Sequence, residues 1–279
     1  MIRITDLCFR GYDNAFADFF RYREWAREFK KQVKTNSFPA LSLVRFSHDH
    51  FGSFGAAIYG VNTPELQMAD NDYAVALLVD KIAHSPYANS TLIFVIEDDP
   101  QDGADHVSAN RSTAFIVGPY VKHGALVSTH YATANMLRTI EEVLGIAQLG
   151  VHDAGLPPMT DAFDSNQPSW TFSAVPAQVL FNTQLPLLDK GMKVEMGSIP
   201  KPTHDAAWWE ARTKGFDFSQ EDRVPTDLFN RVIWQGLMGD KPYPTNRSGL
   251  DLRQNREQLL KTTASQPDSK LEPTKGGGE

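Results

Sequence analysis

Two short segments of this sequence combine aspartates with histidines densely enough to predict a metal site. Residues 47–52 read Ser-His-Asp-His-Phe-Gly, and residues 97–106 contain five acidic side chains and one histidine. Carboxylates packed this closely repel one another and lose solvation unless a cation lies between them. Because histidine accompanies the carboxylates, the pattern favours a transition metal such as Zn²⁺, Mn²⁺ or iron over Ca²⁺.

Within these segments, the candidate ligands are the residues that a backbone turn could bring together. Asp98 and Asp99 lie just past the apolar run of residues 91–96, so a turn beyond the strand end would let both carboxylates reach one ion. A turn at Phe51 would do the same for Asp49 and His50. Further polar neighbours could support a ligand or contact substrate: His48, Asp72, Asp102, Asp105, Asn110 and Arg111. The alternative interpretation for each is a solvated surface position.

Composition narrows the classes of partner. The chain has 279 residues, a formal net charge of −7 and a pI near 5.6, which argues against nucleic acid or an anionic membrane as partner. The single cysteine, Cys8, excludes an internal disulfide. No apolar run approaches the ~18–20 residues of a transmembrane helix, and no signal peptide is visible.

The spacing of apolar residues predicts the elements that must position these side chains. We predict helices over residues 12–34, 65–83 and 132–144, and strands over 41–46, 91–96 and 112–117. This order predicts an α/β sandwich with a mostly parallel sheet. Ligands gather beyond the carboxyl ends of the strands in such sheets, and both acidic segments follow predicted strands.

The character of the sequence changes near residue 150, where proline and loop-forming residues become frequent. We therefore predict an α/β core over residues 1–150 and an extension over residues 151–261 that packs on it. The glycine-rich and polar tail, residues 262–279, is expected to be disordered.

The segment from residue 71 to 107, with Ile-Glu-Asp-Asp-Pro-Gln-Asp-Gly-Ala-Asp-His-Val at its end, resembles the bacterial phosphoesterase family. The likeness continues through residues 111–113, 118–121 and 137–145, and residues 205–260 resemble a subgroup often fused to a β-propeller. This family holds acid phosphatase and phospholipase C type enzymes of the alkaline phosphatase superfamily. The resemblance implies an alkaline-phosphatase-like three-layer sandwich and metal-dependent hydrolysis of small phosphate esters.

The resemblance also implies which residues bind metal. Its pattern assigns the ligands Asp49, His50, Asp98, Asp99 and His106, and a divalent ion that is Zn, Mn, Fe or Ca. Two departures from the family stand out. No Ser/Thr nucleophile motif is recognisable within residues 1–40, and Asn110 occupies a position where relatives carry histidine.

The missing nucleophile motif implies an N-terminally incomplete sandwich with an unknown catalytic nucleophile. An incomplete sheet would be completed by a separately encoded N-terminal half or by self-association. Relatives are usually exported to the periplasm or beyond, so the location of this chain stays undecided. Two other functions are open: an inactive remnant or metal-binding interaction module, and a sulfatase or phosphomutase on the same scaffold.

Overall fold

Two long helices and a two-stranded sheet dominate the part of the chain that the computed structural model describes, which is residues 5–98, 112–187 and 199–243. These residues fall into two compact units. The first holds residues 5–98, 112–187 and 199–225, and the second holds residues 226–243. The fold is thus of mixed helix and sheet, and a boundary near residue 150 stays a prediction.

Helix α1 spans Asp18–Thr35 and ends at Asn36, which adopts the left-handed conformation with φ 48°. It begins six residues later than the sequence predicts. The reason is Arg21, whose guanidinium is fully buried and donates to the carbonyls of Arg10, Gly11, Asp13 and Phe16. These carbonyls wrap around a charged group, so the segment before α1 is a loop.

Helix α2 spans Pro64–Ala83, as the sequence predicts. The side chain of Thr63 accepts the N–H of Leu66 at 3.3 Å, and Pro64 occupies the first helical position. Helices α1 and α2 pack against each other. Their buried faces form two apolar clusters, one around Phe19 and Tyr73 and the other around Trp25, Phe29 and residues that include Leu78 and Ile82.

The sheet consists of β1 (Ile93–Ile96) and β2 (Ala114–Val117), which pair antiparallel with Ile93 opposite Val117. The parallel arrangement expected from the sequence is therefore not formed by the described strands. Residues 41–46 form no strand, so that prediction was wrong. Leu43 is 87% exposed there. An apolar run forms a strand only where a neighbouring strand can pair with it, and the described sheet consists of β1 and β2.

The remaining helices of the first unit are short. Helix α3 (Thr133–Leu144) ends at Gly145, which has φ 65°, as the sequence predicts, and α4 (Val151–Ala154) and α5 (Ala206–Arg212) follow. The second unit contains α6 (Thr226–Met238). No helix among the described residues is both long and apolar enough to cross a membrane. The predicted disordered tail lies outside the described residues.

Candidate metal centre

Residues 47–50 form a tight turn that places Asp49 and His50 side by side. The backbone N–H of His50 donates to the carbonyl of Ser47 at 3.1 Å and to the carboxylate of Asp49 at 3.0 Å. The imidazole packs edge-on against the ring of Tyr12, with ring centroids 5.8 Å apart. Both side chains are mostly buried, with 14% of His50 and 19% of Asp49 exposed. The turn therefore presents an imidazole and a carboxylate together.

The carboxylate of Asp98, two residues after β1, completes this group. Its Oδ1 lies 3.9 Å from Nε2 of His50, and Oδ2 of Asp49 lies 4.0 Å from the same nitrogen. The three side chains each offer one ligand atom within 4.8 Å of the others. Asp98 is the accessible member, with 53% of its side chain exposed. The group is therefore open to solvent on one side and buried on the other.

The electrostatics of this group favour a cation. Burial raises the pKa of Asp49 from 3.8 to about 6. His50 acts in the opposite direction, while the neighbouring charge of Asp98 raises this pKa further. A buried carboxyl group beside a second carboxylate is hard to ionise. A cation next to both groups would stabilise their ionised forms.

The donor set also fits a divalent metal. A tetrahedral ion with bonds of about 2.1 Å separates its ligand atoms by roughly 3.4 Å. The oxygens of Asp98 and Asp49 that lie 3.9 and 4.0 Å from Nε2 of His50 would thus need to approach this nitrogen by about half an ångström. Two carboxylate oxygens and one imidazole nitrogen suit Zn²⁺ or Mn²⁺ better than Ca²⁺. Asp49, His50 and Asp98 therefore fit the type of ion that the sequence predicts.

Arg45 and Glu221 border the group on its exposed side. Nη2 of Arg45 lies 3.2 Å from Oδ2 of Asp98 and 2.8 Å from Oε2 of Glu221. Tyr12 lies in the same acidic environment: burial raises the pKa of its phenol, and the charges of Glu221 and Asp49 raise it further. The residues around the candidate metal centre thus include a cation, Arg45, between two carboxylates.

A buried aspartate of α1 anchors the turn from below. The carboxylate of Asp18 is fully buried and accepts the backbone N–H groups of Ser47 at 3.0 Å and His48 at 2.9 Å. It also accepts from the guanidinium of Arg21 at 2.8 Å and from the amide of Asn71 at 3.1 Å. Each oxygen of Asp18 therefore accepts two hydrogen bonds, and its charge is paired with that of Arg21.

A second buried aspartate, Asp70 of α2, joins both helices to the turn. It accepts the first backbone N–H groups of α1, those of Asp18 at 2.6 Å and Phe19 at 3.1 Å. Its Oδ2 also lies 2.8 Å from Nδ1 of His48, whose Nε2 lies 3.1 Å from the carbonyl of Asn14. Both ring nitrogens of His48 therefore face hydrogen-bond acceptors.

The protonation of this buried pair follows from those contacts. Burial lowers the pKa of His48, but the hydrogen bond to Asp70 and the charge of Asp18 outweigh it, so that pKa is raised. For Asp70 burial acts in the opposite direction and raises the pKa, and this outweighs the lowering effect of His48. Both groups therefore hold a proton more tightly than the same groups do in water.

Two further groups have ligand atoms close enough for an ion: Asp18, His48 and Asp70, and Asp6, Cys8 and Glu24. In the first group, the hydrogen bonds just described already occupy the oxygen and nitrogen atoms that would have to bind the ion. In the second, both carboxylate oxygens of Glu24 accept hydrogen bonds from Arg27, at 2.6–3.1 Å. Arg45, by contrast, contacts Asp98 through Oδ2, while Oδ1 of Asp98 faces His50. Asp49, His50 and Asp98 therefore form the group best suited to a metal among the described residues.

Gln67 of α2 fixes Gly52, the last residue of the segment 47–52, which we call the ligand turn. Its buried amide accepts the N–H of Gly52 at 3.0 Å and donates to the carbonyl of the same residue at 2.8 Å. Gly52 also contacts Phe218 closely, because a Cβ at this position would lie 2.3 Å from Cδ1 of that ring. Phe218 packs edge-on against Phe54 with centroids 6.0 Å apart. The segment around residue 218 therefore packs on the ligand turn.

The structure brings together three of the five residues that the sequence assigns to metal binding, namely Asp49, His50 and Asp98. The other two, Asp99 and His106, lie outside the described residues, and so do Asp102, Asp105, Asn110 and Arg111. Of the supporting candidates, His48 lies in the buried network, whereas Asp72 is exposed on α2.

Sequence reasoning missed the residues that surround and support the group. Asp18, Gln67 and Glu221 are distant from the turn in sequence and belong to no recognisable motif. Arg45 could have been predicted from the sequence, because it lies two residues before the acidic turn and its charge is opposite to that of the candidate ligands. Asp70 and Asn71 precede Asp72 in the same acidic run, and they, rather than Asp72, support the turn.

Residues 9–147 match the Phosphoesterase family model. No curated protein and no solved structure matches the chain. The matched segment contains the ligand turn, α1, α2, both strands and Asp98. The likeness of residues 205–260 to one subgroup lies outside this match and stays a prediction. The resemblance seen in the first half of the sequence is thereby confirmed, and residues 9–147 belong to the phosphoesterase family.

Proposed function

We propose that this chain is a metal-dependent hydrolase of phosphate esters. Membership of the phosphoesterase family supports hydrolysis of a phosphate ester. The observation that carries the metal dependence is the convergence of Asp49, His50 and Asp98 within 4.8 Å of one another. By the family pattern, Asp99 and His106 would be further ligands.

The chain's own residues account for binding and orientation. Asp49 and Asp98 supply anionic oxygens and His50 supplies a nitrogen, a set suited to Zn²⁺ or Mn²⁺. When bound, the ion would polarise a phosphoryl oxygen and stabilise the charge that develops during displacement. Asp18 and Gln67 hold the turn through its backbone, so the ligands need little rearrangement on binding.

The test is hydrolysis of p-nitrophenyl phosphate by the whole chain with added Mn²⁺ or Zn²⁺. We expect release of p-nitrophenol that disappears with EDTA and returns when metal is restored. His50→Gln should lower the rate on the order of a hundredfold, because loss of one ligand removes several kcal/mol of transition-state stabilisation.

His152→Gln is the matched control, since His152 is exposed on α4 and far from the turn in sequence. Hydrolysis that persists in His50→Gln at the unsubstituted rate would contradict the assigned site. If metal raises the melting temperature and no ester is cleaved, the chain is a metal-binding module instead.

A further inference from the structure

We propose that Arg45 binds the phosphate group of the substrate beside the metal centre, and that Glu221 positions its guanidinium. This inference rests on the proposed function and adds an anion-binding residue to it. The Arg45 side chain is half exposed, and its Nη2 lies 3.2 Å from Asp98. Arg45 therefore reaches the accessible edge of the metal centre.

Asp98 links this guanidinium to the ligand group. Its Oδ2 faces Arg45, while its Oδ1 lies 3.9 Å from Nε2 of His50. A group that occupies solvent between the metal centre and Arg45 would therefore meet positive charge from both sides once an ion is bound. A phosphate monoester, which carries up to two negative charges and several acceptor oxygens, has the chemistry for that position.

The guanidinium has donors available for such a ligand. Its contacts with Asp98 and Glu221 both use Nη2. Within the described residues, Nε and Nη1 make no hydrogen bond. Arginine binds phosphate through two parallel N–H donors, and lysine cannot reproduce this fork. A metal ion that shares the charge of Asp98 would also weaken the hold of that carboxylate on Arg45.

Glu221 has the position of an orienting partner. It lies 2.8 Å from Nη2 of Arg45, in a segment anchored at Phe218 against Gly52. Asp217 further orders that segment by accepting from the N–H of Ser219 at 3.0 Å and from Arg223 at 3.1 Å. An acid so placed holds the arginine at the rim of the site.

The experiment measures the binding of inorganic phosphate to the whole chain by calorimetry, with saturating Mn²⁺ and without it. We expect Arg45→Met to weaken phosphate binding about ten- to a hundredfold, as for loss of a charged hydrogen-bonding partner. Its affinity for Mn²⁺ should change by less than about threefold, because the three ligands remain. Arg45→Lys should recover only part of the phosphate affinity, and the exposed Arg23→Met is the matched control.

Glu221→Gln distinguishes a positioning role from general support of the fold. It should weaken phosphate binding less than Arg45→Met does, and have no further effect when both substitutions are combined. Equal phosphate affinity in Arg45→Met and the unsubstituted chain, with Mn²⁺ bound to both, would overturn the inference and leave the proposed function intact. If the chain binds neither Mn²⁺ nor phosphate, both are wrong. Phosphate binding that depends on Arg45 without any metal binding would support the inference and remove the metal from the proposed function.

Discussion

Replacing Asp49 with asparagine should stabilise the metal-free protein at neutral pH and weaken its response to metal. The pKa of Asp49 rises from 3.8 to about 6, chiefly because the carboxyl is buried. At full strength this difference corresponds to about 3 kcal/mol. With 19% of the side chain exposed to solvent, screening lowers our expectation to about 1–2 kcal/mol.

The pH dependence has a definite sign. Because the pKa of Asp49 is raised in the folded state, the folded protein binds more protons than the unfolded chain does between pH 3.8 and about pH 6. The free energy of unfolding should therefore fall as the pH rises through this window and stay lower above it. Asp49→Asn removes this contribution, so its stability should fall less over the same window.

The assay is urea denaturation of both proteins in EDTA at several pH values that span this window, repeated at pH 7 with Mn²⁺. In EDTA at pH 7 the variant should be the more stable protein. Mn²⁺ at a hundred times its dissociation constant should stabilise the unsubstituted chain by about 2.7 kcal/mol and the variant by much less. Asp72→Asn, an exposed change on α2, should shift stability by less than about 0.5 kcal/mol. A variant less stable than the unsubstituted chain in EDTA at pH 7 would refute the reasoning.

Two further predictions concern the support of the turn. Asp18→Asn should cost about 3–5 kcal/mol in urea denaturation, because it leaves the buried charge of Arg21 without its partner; a loss below that of an exposed aspartate would contradict the network. Gly52→Ala should destabilise by about 1–3 kcal/mol, since the new Cβ would lie 2.3 Å from the Phe218 ring. Gly55→Ala is its control, because the atoms nearest to the new Cβ there belong to the flexible end of Glu210, and equal melting temperatures for the two variants would rule out the packing argument.

Local signals in the sequence account for the parts of the fold that were predicted correctly. The bounds of α2 follow from Thr63 and Pro64 at its start, and the end of α3 follows from Gly145. These features act within a few residues of where they occur. The strand predicted at residues 41–46 and the parallel sheet had no such support, because pairing and strand direction depend on residues that are distant in the chain.

The candidate site divides in the same way. Asp49, His50 and Asp98 were predicted because acids and imidazoles concentrate at two points of the sequence. Asp18 and Gln67 were not, because each binds a turn that lies about thirty or fifteen residues away, as their hydrogen bonds to His48 and Gly52 record. An isolated buried aspartate or glutamine has no periodicity or spacing that would distinguish it from a surface residue.

The carboxylate of Asp70 has a consequence for how the turn can move. It caps the start of α1, belongs to α2 and binds His48, so three parts of the chain depend on one side chain. The turn cannot shift appreciably without breaking hydrogen bonds at the interface between the two helices. Distortion of the ligand geometry is therefore coupled to separation of the two helices. The folded protein keeps Asp49 and His50 in their relative positions for as long as its core is intact.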